Sequence, residues 1–189
     1  MTLRILQFGT TGQLATELTR QASAHDVELT ALSRTDCDLG DPQAAARAVA
    51  EARPDLVVIA AAYTAVDLAE TERDLARTVN ALAPGAIAKA CAATGAALVN
   101  ISTDYVFAGD GGAPYAEDAA TNPLNVYGAT KLEGERAVAA GCPPRAQYPH
   151  ILGGLRPRQE FRQDHAAGRH GGKSAPGGGR PTGPTDLGR

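Results

Sequence analysis

"LRILQFGTTGQLATEL" (Leu3–Leu18) reads as a strand, a tight turn and a helix in immediate succession. Leu3–Phe8 is a short apolar run that stops at a glycine, as a buried strand does. From Gly12 to Ala24 the spacing is helical, with Leu14, Leu18 and Ala22 on one face. Between the two, Gly9, Gly12 and Ala15 form a G-x-x-G-x-x-A turn. Small residues there let the backbone approach a pyrophosphate. A helix opening near Gly12 turns its free N–H groups and positive dipole end toward that anion. The stretch therefore predicts a dinucleotide-binding unit, with a plain tight turn as the alternative.

The same alternation continues to Ala140. Val27–Leu32, Leu56–Ala60 and Ala97–Ile101 read as further strands. Asp41 is placed to cap a helix whose first residue is Pro42. Arg73–Thr94 is a long helical pattern closed by Gly95, and Asn125–Ala140 is helical again. Strands alternating with helices predict an α/β fold of the Rossmann-like, doubly wound kind. Its sheet is parallel, with right-handed crossovers and helices on both faces. Ligands of such sheets sit at the carboxyl ends of the strands.

Those ends carry the polar residues. After the second strand, "LSRTDCDLGD" puts Ser33-Arg34 where an acid often meets the adenosine 2′-hydroxyl. Arg34 there pairs with a 2′-phosphate and favours NADPH, or else is a solvated surface arginine. Asp38-Leu39 could lie along the adenine. After the third strand, Ala60–Ala62 are small enough for close approach to a cofactor, or serve helix–sheet packing. After the fourth, Ser102, Thr103, Asp104 and Tyr105 are placed to bond a substrate carbonyl or hydroxyl. In "YGATK", Tyr127 and Lys131 are four apart and share a helical face. An ammonium beside a phenol is expected to lower the phenol from about 10 toward neutral and make it an acid–base group.

Three long stretches resemble the extended short-chain dehydrogenase/reductases, and within them the dTDP-4-dehydrorhamnose reductases. They are "FGTTGQLATEL", "AAAYTAVDLAE" and the run from Val79 to Glu135 that contains "NISTDYVF" and "PLNVYGATKLEGE". The resemblance implies that Tyr127 is the general acid and that Lys131 holds the nicotinamide ribose and tunes Tyr127. It also implies that Thr103 orients the substrate carbonyl, with Asp104 beside the sugar. Gly12, Gln13 and Leu14, Asp38 and Leu39, and Ala61, Ala62 and Tyr63 would hold NADPH or NADH. The implied reaction reduces C4 of dTDP-4-dehydro-L-rhamnose to give dTDP-L-rhamnose, with a dTDP-sugar as substrate and no metal. A homodimer is among the arrangements the resemblance allows. A non-catalytic dinucleotide-binding module and a sugar-nucleotide epimerase are the alternatives. Ala60 and Leu68 stand where the family usually has Asn and often has Lys.

Composition sets a boundary near Cys142. Residues 1–142 carry 10 Lys/Arg and 18 Asp/Glu, whereas residues 143–189 carry 8 and 3. The overall charge of −3 gives no reason to expect nucleic acid. No apolar run approaches the roughly 18 residues of a membrane span. Cys37, Cys91 and Cys142 are scattered and odd in number, which suits a reducing cytoplasm.

The tail, including "GLRPRQEFRQDHAAGRHGG" (Gly154–Gly172), has no apolar period. Read one nucleotide out of register, Tyr148–Gly153 permits Ile-Arg-Thr-Ser-Trp-Val. Arg156–Ala167 permits Gly-His-Gly-(Arg or Lys)-Asn-Phe-Val-Lys-Thr-Met-Leu-Arg. These are phrases that follow the Tyr-x-x-x-Lys helix in the resembling family. Residues 1–142 are thus predicted to form an NAD(P)-binding domain. Residues 143–189 are predicted to be a disordered, out-of-frame tail that leaves the sheet incomplete, the substrate domain missing, the edge beside Val99 open and the activity impaired.

Overall fold

The structure, a computed structural model, describes residues 2–110, 115–116, 118–142 and 147–149. β1 (Leu3–Phe8) and β2 (Val27–Leu32) pair in parallel from Leu3↔Val27 to Phe8↔Leu32. β3 (Leu56–Ile59) lies on the other side of β1, in register from Ile5↔Leu56 to Phe8↔Ile59. β4 (Ala97–Asn100) follows β3, and β5 (Gln147–Pro149) follows β4. The order is β2-β1-β3-β4-β5 and every pair is parallel. The chain moves from β1 to one side and then returns to the other. This opens a crevice beyond the carboxyl ends of β1 and β3, where such sheets bind ligands.

The helices are α1 (Gln13–Ala22), α2 (Pro42–Ala52), α3 (Val66–Ala69), α4 (Arg73–Arg77), α5 (Ala83–Thr94) and α6 (Val126–Gly141). The Asp41 carboxylate accepts from the N–H groups of Gln43 and Ala44 at 3.0 Å, and Pro42 opens α2. Gly95 closes α5 at φ +79°. One face of the sheet carries the core: Leu6, Phe8, Val57, Ile59 and Leu98 meet Val49, Ile87, Cys91 and Val138 of the helices.

The predicted run Arg73–Thr94 is continuous but not uniform. Residues Thr78–Leu82 form a π turn between α4 and α5, where Ala83 N–H reaches back to Thr78 O. Pro84 has no N–H to give the Asn80 carbonyl, and a helix widens where a bond of its ladder is missing. The freed Asn80 carbonyl faces Gly134 of α6. A Cβ at residue 134 would fall well inside its contact distance.

One expectation is corrected. The edge of β4 is not left open: Gln147–Pro149 runs along it, with Tyr148 opposite Val99. Backbone groups pair whatever the side chains, so a short strand needs no apolar signature to join an edge. The remainder of the predicted tail lies outside the described residues.

Candidate active site

At the end of β1 the backbone of Gly9 turns at φ +102°, a conformation that favours glycine. A Cβ there would stand 3.0 Å from Ala61 Cβ and 3.1 Å from Ala61 N. Gly9 is therefore required twice, by its dihedral and by the close passage of the chain leaving β3. Gly12 precedes α1 in extended conformation and has no side chain to cap it, so the first N–H groups of α1 receive no side-chain bond there. Beneath the turn lies Gln7, fully buried. Its amide donates to Gly9 O at 2.9 Å and Ala15 O at 3.2 Å, tying both ends of the turn to β1. The sequence reading missed Gln7; its signal is a glutamine in the middle of an apolar strand.

From Gly9 a cleft of about 690 Å³ runs past Arg34, Asp38 and Leu39 to Ala61, Ala62 and Tyr63. Gly12, Gln13 and Leu14 lie at the head of α1 and are not among its lining residues. Arg34 is exposed and engages Asp38, Nε to Oδ2, at 3.2 Å. The Gly40 N–H, more than Arg34, holds the Asp38 carboxyl below its usual value. Asp36 is likewise lowered by the Ser33 hydroxyl and N–H, at 2.6 and 2.9 Å. Ala61 does both things the sequence left open: it lines the cleft and packs against the core.

Asn80, a second residue the sequence reading missed, joins this cleft to α6. Buried, it accepts from Tyr63 N at 2.9 Å and donates to Tyr63 O and Thr130 Oγ1, both at 3.1 Å. Thr130 in turn donates to Tyr127 O at 2.9 Å. A lone Asn within "TVNALAPGAIAKA" was the available clue.

Helix α6 starts from Asn125, whose side chain accepts from Gly128 N at 2.7 Å, and from Glu70, which accepts from Val126 N at 2.8 Å. Tyr127 sits edge-on to Tyr105, with ring centroids 5.4 Å apart. Thr103 bridges toward it from the end of β4. Its hydroxyl donates to Asp104 at 3.2 Å and accepts from Tyr105 N at 3.3 Å. Thr103, Asp104, Tyr127 and Lys131 thus form a second cluster, which does not line the cleft.

The electrostatics differ from expectation. Burial pushes the Tyr127 phenol above its ordinary value; a bond with Thr103 opposes this, and Asp104 and Tyr105 add to it. The Lys131 ammonium has a bond of its own. It donates to Ile101 O at 2.5 Å, and burial lowers Lys131 to about 8, against the pull of Glu135. Four residues along one helix set a common face, but the nearest strong acceptor decides where the ammonium points.

A pH dependence follows. Unfolded, Lys131 ionises near 10.5; folded, near 8. Between those values the unfolded state binds the extra proton, so Lys131 adds a rise in stability as pH goes from about 8 to 10.5. Urea unfolding across that range should show the rise, and Lys131→Met should lack it. An identical pH slope in the two proteins would refute the burial of a charged Lys131.

Among the described residues, no group of three or more His, Cys, Asp or Glu could hold a metal ion. Nor is any helix among them long and apolar enough to cross a membrane.

Residues 3–146 match the family model described as RmlD substrate binding domain. A dTDP-4-dehydrorhamnose reductase of Salmonella typhimurium is 49% identical over 144 residues, covering 75% of this chain and 48% of that protein. One of Streptomyces griseus is 50% identical over 140 residues, covering 74% and 46%. Among solved structures, the dTDP-4-dehydrorhamnose reductase of Bacillus anthracis in complex with NADP superposes with a TM-score of 0.72 at 37% identity, covering 76% of this chain and 51% of that one. The chain spans about half the length of these relatives.

Proposed function

Since this chain belongs to the RmlD substrate binding domain family, we propose that it is the dinucleotide-binding part of a sugar-nucleotide reductase. The reaction reduces the C4 keto group of dTDP-4-dehydro-L-rhamnose to dTDP-L-rhamnose with NADPH or NADH. The observation that carries this is Tyr127, half-buried on α6 one turn before buried Lys131, with Thr103 among the groups that act on its phenol.

The residues fit a dinucleotide. Gly9 makes the tight turn that lines the cleft, Ala61 and Ala62 keep the wall low, and α1 offers uncapped N–H groups to a pyrophosphate. The nicotinamide, when bound, supplies the hydride. Tyr127 gives its proton to the oxygen at C4 as charge develops there. A phenol held above its ordinary value keeps that proton at neutral pH and so acts as a general acid. Thr103 aligns the same oxygen, with Asp104 beside the sugar, and Lys131, which has donors beyond the one given to Ile101 O, is proposed to hold the ribose. Three cysteines, scattered and odd in number, agree with the cytoplasm as the compartment.

Tyr127→Phe is the test. Hydride transfer from NADPH to the keto sugar should fall by about 10²-fold or more, with NADPH affinity unchanged. NADPH binding without any Tyr127-dependent chemistry would favour the non-catalytic module, and a C4-inverted sugar without net reduction would favour the epimerase. The segment after about residue 142 is proposed to be out of register, a reading supported by the end of the family match at residue 146. Turnover by this chain is then expected to be low. Resequencing checks the point, and a frame that codes for Gly154–Gly172 without interruption would refute it.

Arg34 lines the cleft at the adenosine end and is proposed to leave Asp38 for a 2′-phosphate. Arg34→Ala should weaken NADPH by about tenfold or more, the worth of a charged hydrogen bond, and leave NADH affinity as it was. Equal losses for both cofactors by calorimetry would place Arg34 elsewhere.

A further inference from the structure

Two residues on α6 and two at the end of β4 close a ring. The Lys131 ammonium donates to the Ile101 carbonyl. The next residue, Ser102, bonds through its hydroxyl to the Glu135 carboxylate. Glu135 lies four residues after Lys131 on α6, on the same face. The strand end is thus gripped twice by one helix face, once through a backbone oxygen and once through a side chain. Lys131 is the inner member, 4% exposed, and Glu135 is half-buried outside it.

A buried ammonium needs partners for its protons and a charge to offset its own. Ile101 O supplies one hydrogen bond but no charge. On α6 the groups beside Lys131 that ionise are Tyr127 and Glu135. On the turn after β4, Asp104 and Tyr105 act on the Tyr127 phenol. The π turn, packed against α6, presents neutral Asn80. Glu135 is the charge that acts on Lys131, and Ser102 keeps it from swinging into solvent.

We propose that Glu135 is a positioning residue: its carboxylate, tethered by Ser102, fastens the end of β4 to α6 and holds the Lys131 ammonium on the Ile101 carbonyl, one turn from Tyr127. This rests on the reading of Tyr127 and Lys131 as the acid and its neighbour. It adds a job for a glutamate and a serine that the proposed reaction leaves unused. The pairing also explains how a lysine can stay charged at neutral pH although burial opposes it.

The test is a pH titration of the full chain with ¹³Cε-labelled lysine, read by NMR. Lys89, Lys131 and Lys173 are the lysines, so the signals are few and Lys131→Met assigns its own. Wild-type Lys131 should titrate near 8. Glu135→Gln keeps an oxygen for Ser102 but removes the charge, and should lower the midpoint by about one unit, the effect of a near opposite charge. Glu135→Asp should restore most of that shift. Ser102→Ala, which frees the carboxylate, should lower the midpoint less than Glu135→Gln does. A Glu135→Gln midpoint equal to wild type, or Glu135→Asp no better than Glu135→Gln, would overturn the inference. If Glu135→Gln does not fold, Ser102→Ala decides: a lowered midpoint supports the tether and an unchanged one refutes it. The titration needs neither cofactor nor sugar. A failure to bind NADPH would therefore sink the reductase reading while leaving this result to stand or fall alone.

Discussion

Gly134→Ala is expected to lower the stability of the sheet-bearing unit by about 3 kcal/mol or more, at the upper end of the overpacking range. Residue 134 lies in the middle of α6, where an added Cβ would run into the Asn80 carbonyl. That oxygen cannot retreat easily. Pro84 has already displaced the helix there into a π turn, and the Asn80 side chain is bound to both Tyr63 and Thr130. A methyl group would have to push apart two backbones rather than one flexible side chain. The loss is a large share of the roughly 5–15 kcal/mol that stabilises a domain. Gly12→Ala is the control. Its Cβ would meet Ala60 O at 3.8 Å, an ordinary contact, and φ is −71°. Urea unfolding of the three proteins should separate Gly134→Ala sharply from the other two. A loss below about 1 kcal/mol would mean that α6 can slide on the π turn.

Gly9→Val should remove most of the affinity for NADPH, by about 10²-fold or more. Two penalties combine. A β-branched residue at φ +102° is strained by about 1–3 kcal/mol. Its Cβ would also press on both the side chain and the backbone of Ala61. The structure can relieve these only by opening the turn between β1 and α1 or by moving the exit of β3. Both movements spoil the place where the pyrophosphate is proposed to sit. Fluorescence titration with NADPH, beside circular dichroism to show that the variant is folded, reads the effect. A folded Gly9→Val with wild-type affinity would exclude this turn from the binding site.

Most strands and helices of the first 142 residues were legible because their signals are local. Leu3–Phe8 and Val27–Leu32 are bounded by glycine and polar turns, Asp41-Pro42 and Gly95 punctuate helices, and each is found where the pattern put it. The π turn was hidden because Pro84 near the start of a helical pattern reads as a permitted residue, and only the approach of α6 shows what the missing N–H releases. β5 was hidden because strand pairing on an edge uses backbone groups that every residue has. In the candidate site, spacing put Tyr127 and Lys131 on one helix but could not say that Ile101 O would take the ammonium. Asn80, Gln7 and Glu135 connect residues far apart in sequence or sit below the turn. Their partners became visible only once the strands were side by side.

The proposal that NADPH occupies the crevice beside β1 and meets Tyr127 can be put to one measurement. NADPH is titrated into the ¹⁵N-labelled full chain and the amide shifts are followed. The expected result is saturable movement of Gly9, Gly12, Arg34, Ala61 and Tyr63, continuing to Tyr127 through the Asn80 and Thr130 bonds. Amides of the groove between α2, α5 and α6, around Ala46 and Ala86, should stay still. No saturable shift at millimolar NADPH, or shifts confined to that groove, would contradict the dinucleotide cleft and with it the reductase reading.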